Sequence, residues 1–321
     1  MSQDKHLSMK IYKYLPFNNN TVPKIINIKS EYDINKDEIN QIEELINSKI
    51  EDNIGSGGFS VVKKVFNHDH GKYFALKVIN LENKKFKKNK EKNKELIKNE
   101  INIQNILHSP YTVKLEKQVE YKTYFLLLME YCDNIDLRHF MKNFHTINKH
   151  LQFSELLCGF FMIQILNATY YLWMQNILHR DLKPENIMLT NEYEVKIGDF
   201  SLSKIVKKNS NFMTSKSGTI PYLAPECFKQ KNSIRGINSY KTDMFSIGVI
   251  MYFFLFNSHP FQYQVSLYMY MYIILLYRIH LMLRIIKKIL RKLFPVIKEI
   301  LLQNVVENFL VNVCLLILKK D

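Results

Sequence analysis

Between Lys49 and Glu130 the chain carries five short runs rich in β-branched and aromatic residues: Lys49 to Ile54, Val61 to Phe66, Tyr73 to Ile79, Val113 to Glu120 and Tyr124 to Glu130. Runs of this length and composition predict strands. Lys94 to Leu107 interrupts them with helical apolar spacing. After Cys132 the patterns lengthen, and Phe153 to Gln175 and Thr242 to Phe256 predict long helices. Residues 1–46 are polar and Asn/Lys-rich, with one amphipathic candidate in which Ile39, Ile42, Leu45 and Ile46 share a helical face. The order therefore predicts a polar extension, a small sheet-rich lobe and a larger helical lobe, without internal repeats.

Composition narrows the class. With 321 residues, 47% hydrophobic and 23% charged, the chain can bury a sizeable core, which excludes a wholly disordered, collagen-like or disulfide-scaffold protein. A net charge of +15 first suggests nucleic acid or an anionic membrane. Its distribution argues otherwise. The run from Lys84 to Lys94 carries +6, residues 262–321 carry another +6, and the rest of the chain carries +3. The lysine run contains only Phe86 as an aromatic, so it lacks the interleaved rings of a stacking surface and reads as a solvated loop. No nucleic-acid partner is expected. Cys132, Cys158, Cys227 and Cys314 form no paired spacing, which fits free thiols in a reducing compartment. Met1 to Lys13 has no apolar stretch, so no secretory leader is expected. The uncharged run from Val265 to Tyr277 is 13 residues, short of the roughly 20 that a membrane span needs, so no span is expected either.

Three segments carry candidate chemistry. Gly55-Ser56-Gly57-Gly58 joins the first two predicted strands, where missing side chains let a hairpin backbone close over phosphate groups; a plain turn is the alternative. Lys77 lies in the apolar run Phe74-Ala75-Leu76-Lys77, where a buried ammonium needs a partner, and Glu100 on the following helix is the candidate. An edge lysine that snorkels to water is the alternative reading. The third segment is His179-Arg180-Asp181-Leu182-Lys183-Pro184-Glu185-Asn186, eight specified positions in order.

With that octet the chain resembles the eukaryotic protein kinase family, Ser/Thr branch, a group that includes calcium/calmodulin-dependent, Aurora-like and Polo-like kinases. Asp199-Phe200 resembles the metal-binding motif, Ala224-Pro225-Glu226 the end of the activation segment, and Gly218-Thr219 a Ser/Thr-branch feature. The resemblance covers roughly residues 49–261. It implies an α+β, two-lobed kinase fold: a small antiparallel sheet lobe with one main helix at 47–131 and a mainly helical lobe at 132–261. An extension at 1–46 precedes these, and a divergent apolar and basic segment at 262–321 stands in place of the late helices. It also implies ATP and Mg²⁺ as cofactors and Ser/Thr-bearing protein substrates as partners. By the same resemblance Asp181 is the base that accepts the hydroxyl proton, Lys183 neutralises the moving phosphoryl group, and Thr219 bonds that pair. Lys77, held by Glu100, fixes the phosphates, while Asn186 and Asp199 hold metal. Ile54, Gly55, Gly57, Val62, Ala75 and Met188 surround the nucleotide. Met129 is the gatekeeper, and Glu130 to Cys132 form the hinge. Asp136 beyond it meets the ribose or a basic residue upstream of the phosphorylated one, as Glu185 also can. Arg180 would engage a phosphate on Ser215, or on Thr214 or Ser217.

The chain departs from the family pattern at four places. Ser60 stands where the loop from Gly55 would have its third glycine. Ser201 replaces the glycine after Asp199-Phe200, Gln104 replaces an aliphatic residue four positions after Glu100, and no arginine partner for Glu226 is recognisable after Phe261. These departures keep a second class open, a catalytically weak or inactive kinase-fold scaffold. The unmatched tail is expected to fold less securely than the rest. A cytoplasmic or nuclear location is expected.

Overall fold

The computed structural model describes residues 34–56, 60–133, 135–147, 153–206, 212–214, 218–224, 227, 236–238 and 240–260. Among these, one compact unit holds residues 34–136 and 187–204, and a second holds 137–186 and 205–260. The break falls after Asp136, and the stretch from Ile187 to Lys204 belongs with the sheet.

The first unit is a five-stranded antiparallel sheet, β1 (Ser48–Ser56), β2 (Ser60–Asn67), β3 (Lys72–Asn80), β4 (Leu115–Tyr121) and β5 (Tyr124–Glu130), in the order β1-β2-β3-β5-β4. The expected strands are all present, each within two residues of its expected ends. Register sorts β3 into two faces. Phe74, Leu76 and Val78 point to one, with Val61 and Val65 of β2 and Tyr124, Leu126 and Leu128 of β5. Ala75, Lys77 and Ile79 point to the other, opposite Met129, Leu127 and Phe125. A strand apolar on both faces needs two covers.

One cover is α1 (Ile39–Ile46), whose Ile42 and Ile46 are buried in the first face. The helix is also tied by polar contacts. Glu43 accepts the Ile50 N–H at 2.8 Å, Lys117 reaches the Leu45 carbonyl at 2.8 Å, and Lys122 pairs with Glu38 at 3.1 Å. This end of the polar extension is thus part of the core. The other cover is α2 (Lys90–Ile106), which packs Ile97 and Ile101 with Ile79, Leu81 and Leu127. Here the lysine run departs from its expected loop: Lys84–Lys87 is already a helical turn, and α2 begins at Lys90. Lysine is a good helix former, and buried Phe86 anchors the turn, with Asn93 donating to its carbonyl at 2.9 Å. Two short strands, β6 (Ile187–Leu189) and β7 (Val195–Ile197), pair with each other, and β7 meets the chain around Thr112.

The second unit contains α3 (Leu137–Ile147), α4 (Glu155–Met174) and α5 (Tyr240–Phe256). Ser154 caps α4 by accepting the Leu157 N–H. Phe140, Phe144, Phe153, Phe161 and Phe254 form an aromatic core, with Phe144 stacked on Phe153 at 4.0 Å and Phe161 on Phe254 at 5.6 Å. Helix α4 is long and apolar enough to cross a membrane by length and composition; half of its Leu157–Met174 window is buried in this unit. The expectations for 1–33, Gly57, Ser215, Ser217, Glu226 and 261–321 lie outside the described residues.

Candidate active site

On the α2 face of the sheet, Lys77 Nζ lies 2.6 Å and 2.9 Å from the two oxygens of Glu100 and 3.7 Å from Asp199 Oδ1. The lysine is therefore no edge residue reaching for water. Burial works to lower its pKa, but Glu100 and Asp199 outweigh it and hold the ammonium charged well above the ordinary lysine value. Burial pushes the Glu100 carboxyl up while Lys77 pulls it back. The two carboxylates differ in access: the Glu100 side chain is 3% exposed and that of Asp199 is 40%. Asp199 adopts a left-handed backbone at φ 55°, whereas Ser201 is not among the described residues with positive φ. Serine is thus accommodated where the family has glycine.

The same face carries Gly55, Val62, Ala75 and Met129 of the residues expected around a nucleotide. Gly55 is the register partner of Val62, Val62 of Lys77, and Ala75 of Met129. Ile54, Gly55, Val62, Met129, Glu130, Cys132, Asp136 and Met188 are half-buried, and Ala75 is buried. Met188 pairs with Asp136 through a β-bridge. A Cβ on Gly55 would meet only ordinary contacts with Val62, so the fold itself does not demand glycine there. Gln104 is 3% exposed; its amide nitrogen faces the Val113 carbonyl and Met129 Sδ, while its Oε1 has no hydrogen-bond partner among the described residues.

In the second unit the Asp181 carboxylate is the centre of a local network. Its Oδ1 accepts the Thr219 N–H and hydroxyl, both at 2.8 Å, and its Oδ2 accepts Lys183 Nζ at 2.7 Å. Lys183 also donates to Thr219 Oγ1 at 2.9 Å. Asn186 Nδ2 donates to the Asp181 carbonyl at 2.9 Å and lies 3.3 Å from Oδ2. The expected trio of Asp181, Lys183 and Thr219 is therefore assembled together with Asn186.

Two further residues shape this loop. Asp243 on α5 is fully buried and accepts the His179 N–H at 2.9 Å and the Arg180 N–H at 2.8 Å, while Arg180 holds φ 69°. Burial raises the Asp243 carboxyl pKa, against the opposing pull of His179 and of the two N–H donors. Gly218 has φ +114°, and a Cβ there would stand 2.7 Å from the Arg180 carbonyl, so only glycine lets Thr219 approach Asp181 this way. Burial lowers the pKa of Arg180, which Asp243 counters. Thr214 lies in a short strand paired with residues 236–238.

The model of the protein kinase domain matches residues 48–310. The chain belongs to the protein kinase family. It is 34% identical over 209 residues to serine/threonine-protein kinase cds1 of Schizosaccharomyces pombe, a match that covers 65% of this chain and 44% of that protein. It is 36% identical over 228 residues to human serine/threonine-protein kinase tousled-like 2, covering 66% and 28%. It is 35% identical over 210 residues to calcium-dependent protein kinase 6 of Plasmodium berghei, covering 65% and 13%. The chain spans less than half the length of each of these relatives. Family and relatives place it in the Ser/Thr branch and give it the α+β kinase fold.

Within this chain, sequence reasoning missed the roles of Asp243 and Gly218. A lone aspartate inside an apolar helix was the available signal, because a buried carboxylate needs donors. Its donors lie 63 and 64 residues away, so their identity was not readable.

Proposed function

We propose that this chain is an ATP- and Mg²⁺-dependent protein kinase that moves the γ-phosphoryl group of ATP to Ser or Thr hydroxyls of protein substrates. The observation that carries the reading is Asp181, whose two carboxylate oxygens are aimed by the donors of Thr219, Lys183 and Asn186. Such a carboxylate orients an incoming hydroxyl and accepts its proton, which is what phosphoryl transfer asks of a side chain. Lys183 neutralises charge on the transferred group, and Thr219 keeps Lys183 and Asp181 in register. Lys77, charged and fixed by Glu100, binds the phosphates on the nucleotide side.

Asn186 and Asp199 would hold Mg²⁺. Both offer the hard oxygen donors that this cation takes. The Asp199 carboxylate is partly open, and Asn186 has committed its amide nitrogen to Asp181, which leaves its oxygen as donor. Bound Mg²⁺ supplies neutralisation of the phosphate oxygens. Val62, Ala75 and Met188 receive the adenine, with the backbone from Glu130 to Cys132 reading its edge.

Arg180 serves a phosphate on Ser215, or on Thr214 or Ser217, that switches the enzyme on. Asp136 and Glu185 serve substrates with basic residues upstream, and Glu185 already faces Arg138 at 3.8 Å. Cys132, Cys158 and Cys227 form no disulfide among the described residues, which supports a cytoplasmic or nuclear location. The intact Lys77 pair and the accommodated Ser201 support the enzyme over the scaffold.

One experiment tests the reading: the chain purified from cells is given labelled ATP, generic basic protein substrates, and Mg²⁺ or EDTA. Expected are Mg²⁺-dependent label on phosphoserine or phosphothreonine and lower activity when Thr214, Ser215 and Ser217 are all changed to Ala. Phosphotyrosine alone, or no transfer at all, contradicts the function. Unchanged activity in the triple variant contradicts the switch.

A further inference from the structure

Lys196 is a buried lysine that the transfer chemistry leaves unused. It sits in the middle of β7, 8% exposed, with its Nζ 2.9 Å from Glu130 Oε1 and 2.9 Å from the Pro110 carbonyl. A buried ammonium persists only with such partners. What it joins gives the contact its meaning. Glu130 closes β5 and opens the connection through Cys132 to Asp136; its N–H donates to the Lys114 carbonyl at 2.8 Å, and its Oε2 accepts the Lys114 N–H at 3.3 Å. On the other side, Lys196 is the register partner of Met188, and Met188 bridges Asp136. One side chain thus ties the beginning of this connection to the strand pair that carries Met188 and meets its end.

We propose that Lys196 is a positioning residue for adenine recognition: its ion pair with Glu130 fixes the backbone that reads the adenine edge relative to the Met188 side chain beneath the ring. The proposal rests on the nucleotide-site reading above. Backbone hydrogen bonds to an adenine edge need donor–acceptor distances of about 2.7–3.2 Å, so a connection free to drift loses them while the transfer loop around Asp181 stays as it is. The Cys132 environment agrees. Burial pushes its thiol up to about 12, with Glu130 adding to the rise and Lys196 opposing it, which keeps the sulfur neutral inside the connection.

The test uses the full chain and three variants: Lys196→Met, Lys196→Arg, and Lys196→Met combined with Glu130→Gln. ATP dissociation constants, KM for ATP, kcat and melting temperature are measured for each. Lys196→Met is expected to raise the ATP Kd and KM about tenfold while kcat moves less than about twofold. Lys196→Arg keeps both near wild type. The double variant, free of an orphaned carboxylate, regains the melting temperature but retains the raised KM. Equal ATP affinity in wild type and Lys196→Met overturns the proposal, as does a KM that recovers together with the melting temperature. Absence of ATP binding by the wild type instead overturns the site reading on which the proposal stands.

Discussion

In the sheet unit, Lys77 finds Glu100 across 23 residues of sequence; in the helical unit, Asp181 finds Lys183 and Asn186 within two and five. The first group depends on β3 and α2 being packed together before any charge can pair, and it is a buried ion pair with one open carboxylate. The second is built mostly within one loop, closed by Thr219 from 38 residues away and held from beneath by Asp243. The Lys77 group therefore rests on packing between elements, and the Asp181 group mostly on hydrogen bonds inside a loop. Changes to packing and changes to single hydrogen bonds should separate the two.

The largest expected effect comes from the support of the loop. Asp243→Ala leaves the His179 and Arg180 N–H groups without their acceptor, at about 1–3 kcal/mol each. Hydrogen exchange should accelerate first at these two amides, with β3 and β5 still protected, and thermal melting should drop. Unchanged exchange at both amides would show that Asp243 does not hold the loop.

The matching break in the sheet unit is Ile42→Ala. Ile42 is fully buried in the α1 cover, so its truncation should cost about 2–5 kcal/mol. Denaturant titration should show the loss, and ATP affinity should weaken once the sheet loosens. A loss below about 0.5 kcal/mol, the scale of an ordinary surface change, would mean that α1 does not cover the sheet in solution.

This cover shows how far the sequence reached. Tyr73 to Ile79 announced a strand, and its apolar residues on both faces required a second cover; yet Ile39, Ile42, Leu45 and Ile46, although they share a helical face, sat in a polar stretch that read as an extension. The lysine run read as a loop because charge was weighed above helix propensity and the single anchor Phe86. The loop from His179 to Asn186 was legible because its octet resembles a family motif, with Lys183 and Asn186 two and five residues from Asp181. Asp243 and Lys196 were not, because what they bind is set by packing between distant segments.

A smaller effect concerns pH. The folded-state pKa of Lys77 is raised above the ordinary value of 10.5, so the stability it contributes is complete below that value and is lost as pH rises through the folded one. Wild type should therefore lose more stability above pH 10.5 than Lys77→Met does, by denaturant titration at matched pH. Parallel losses in the two proteins would show that the pair contributes nothing to folding.

The central claim is that Asp181 acts in transfer while the sheet unit holds the nucleotide. Its most direct test measures ATP binding and single-turnover phosphate transfer in the same preparations of wild type and Asp181→Asn. The account predicts transfer slowed by about 10²–10⁴ with ATP affinity retained, because only the proton acceptor has been removed. Transfer at the wild-type rate by Asp181→Asn would contradict it.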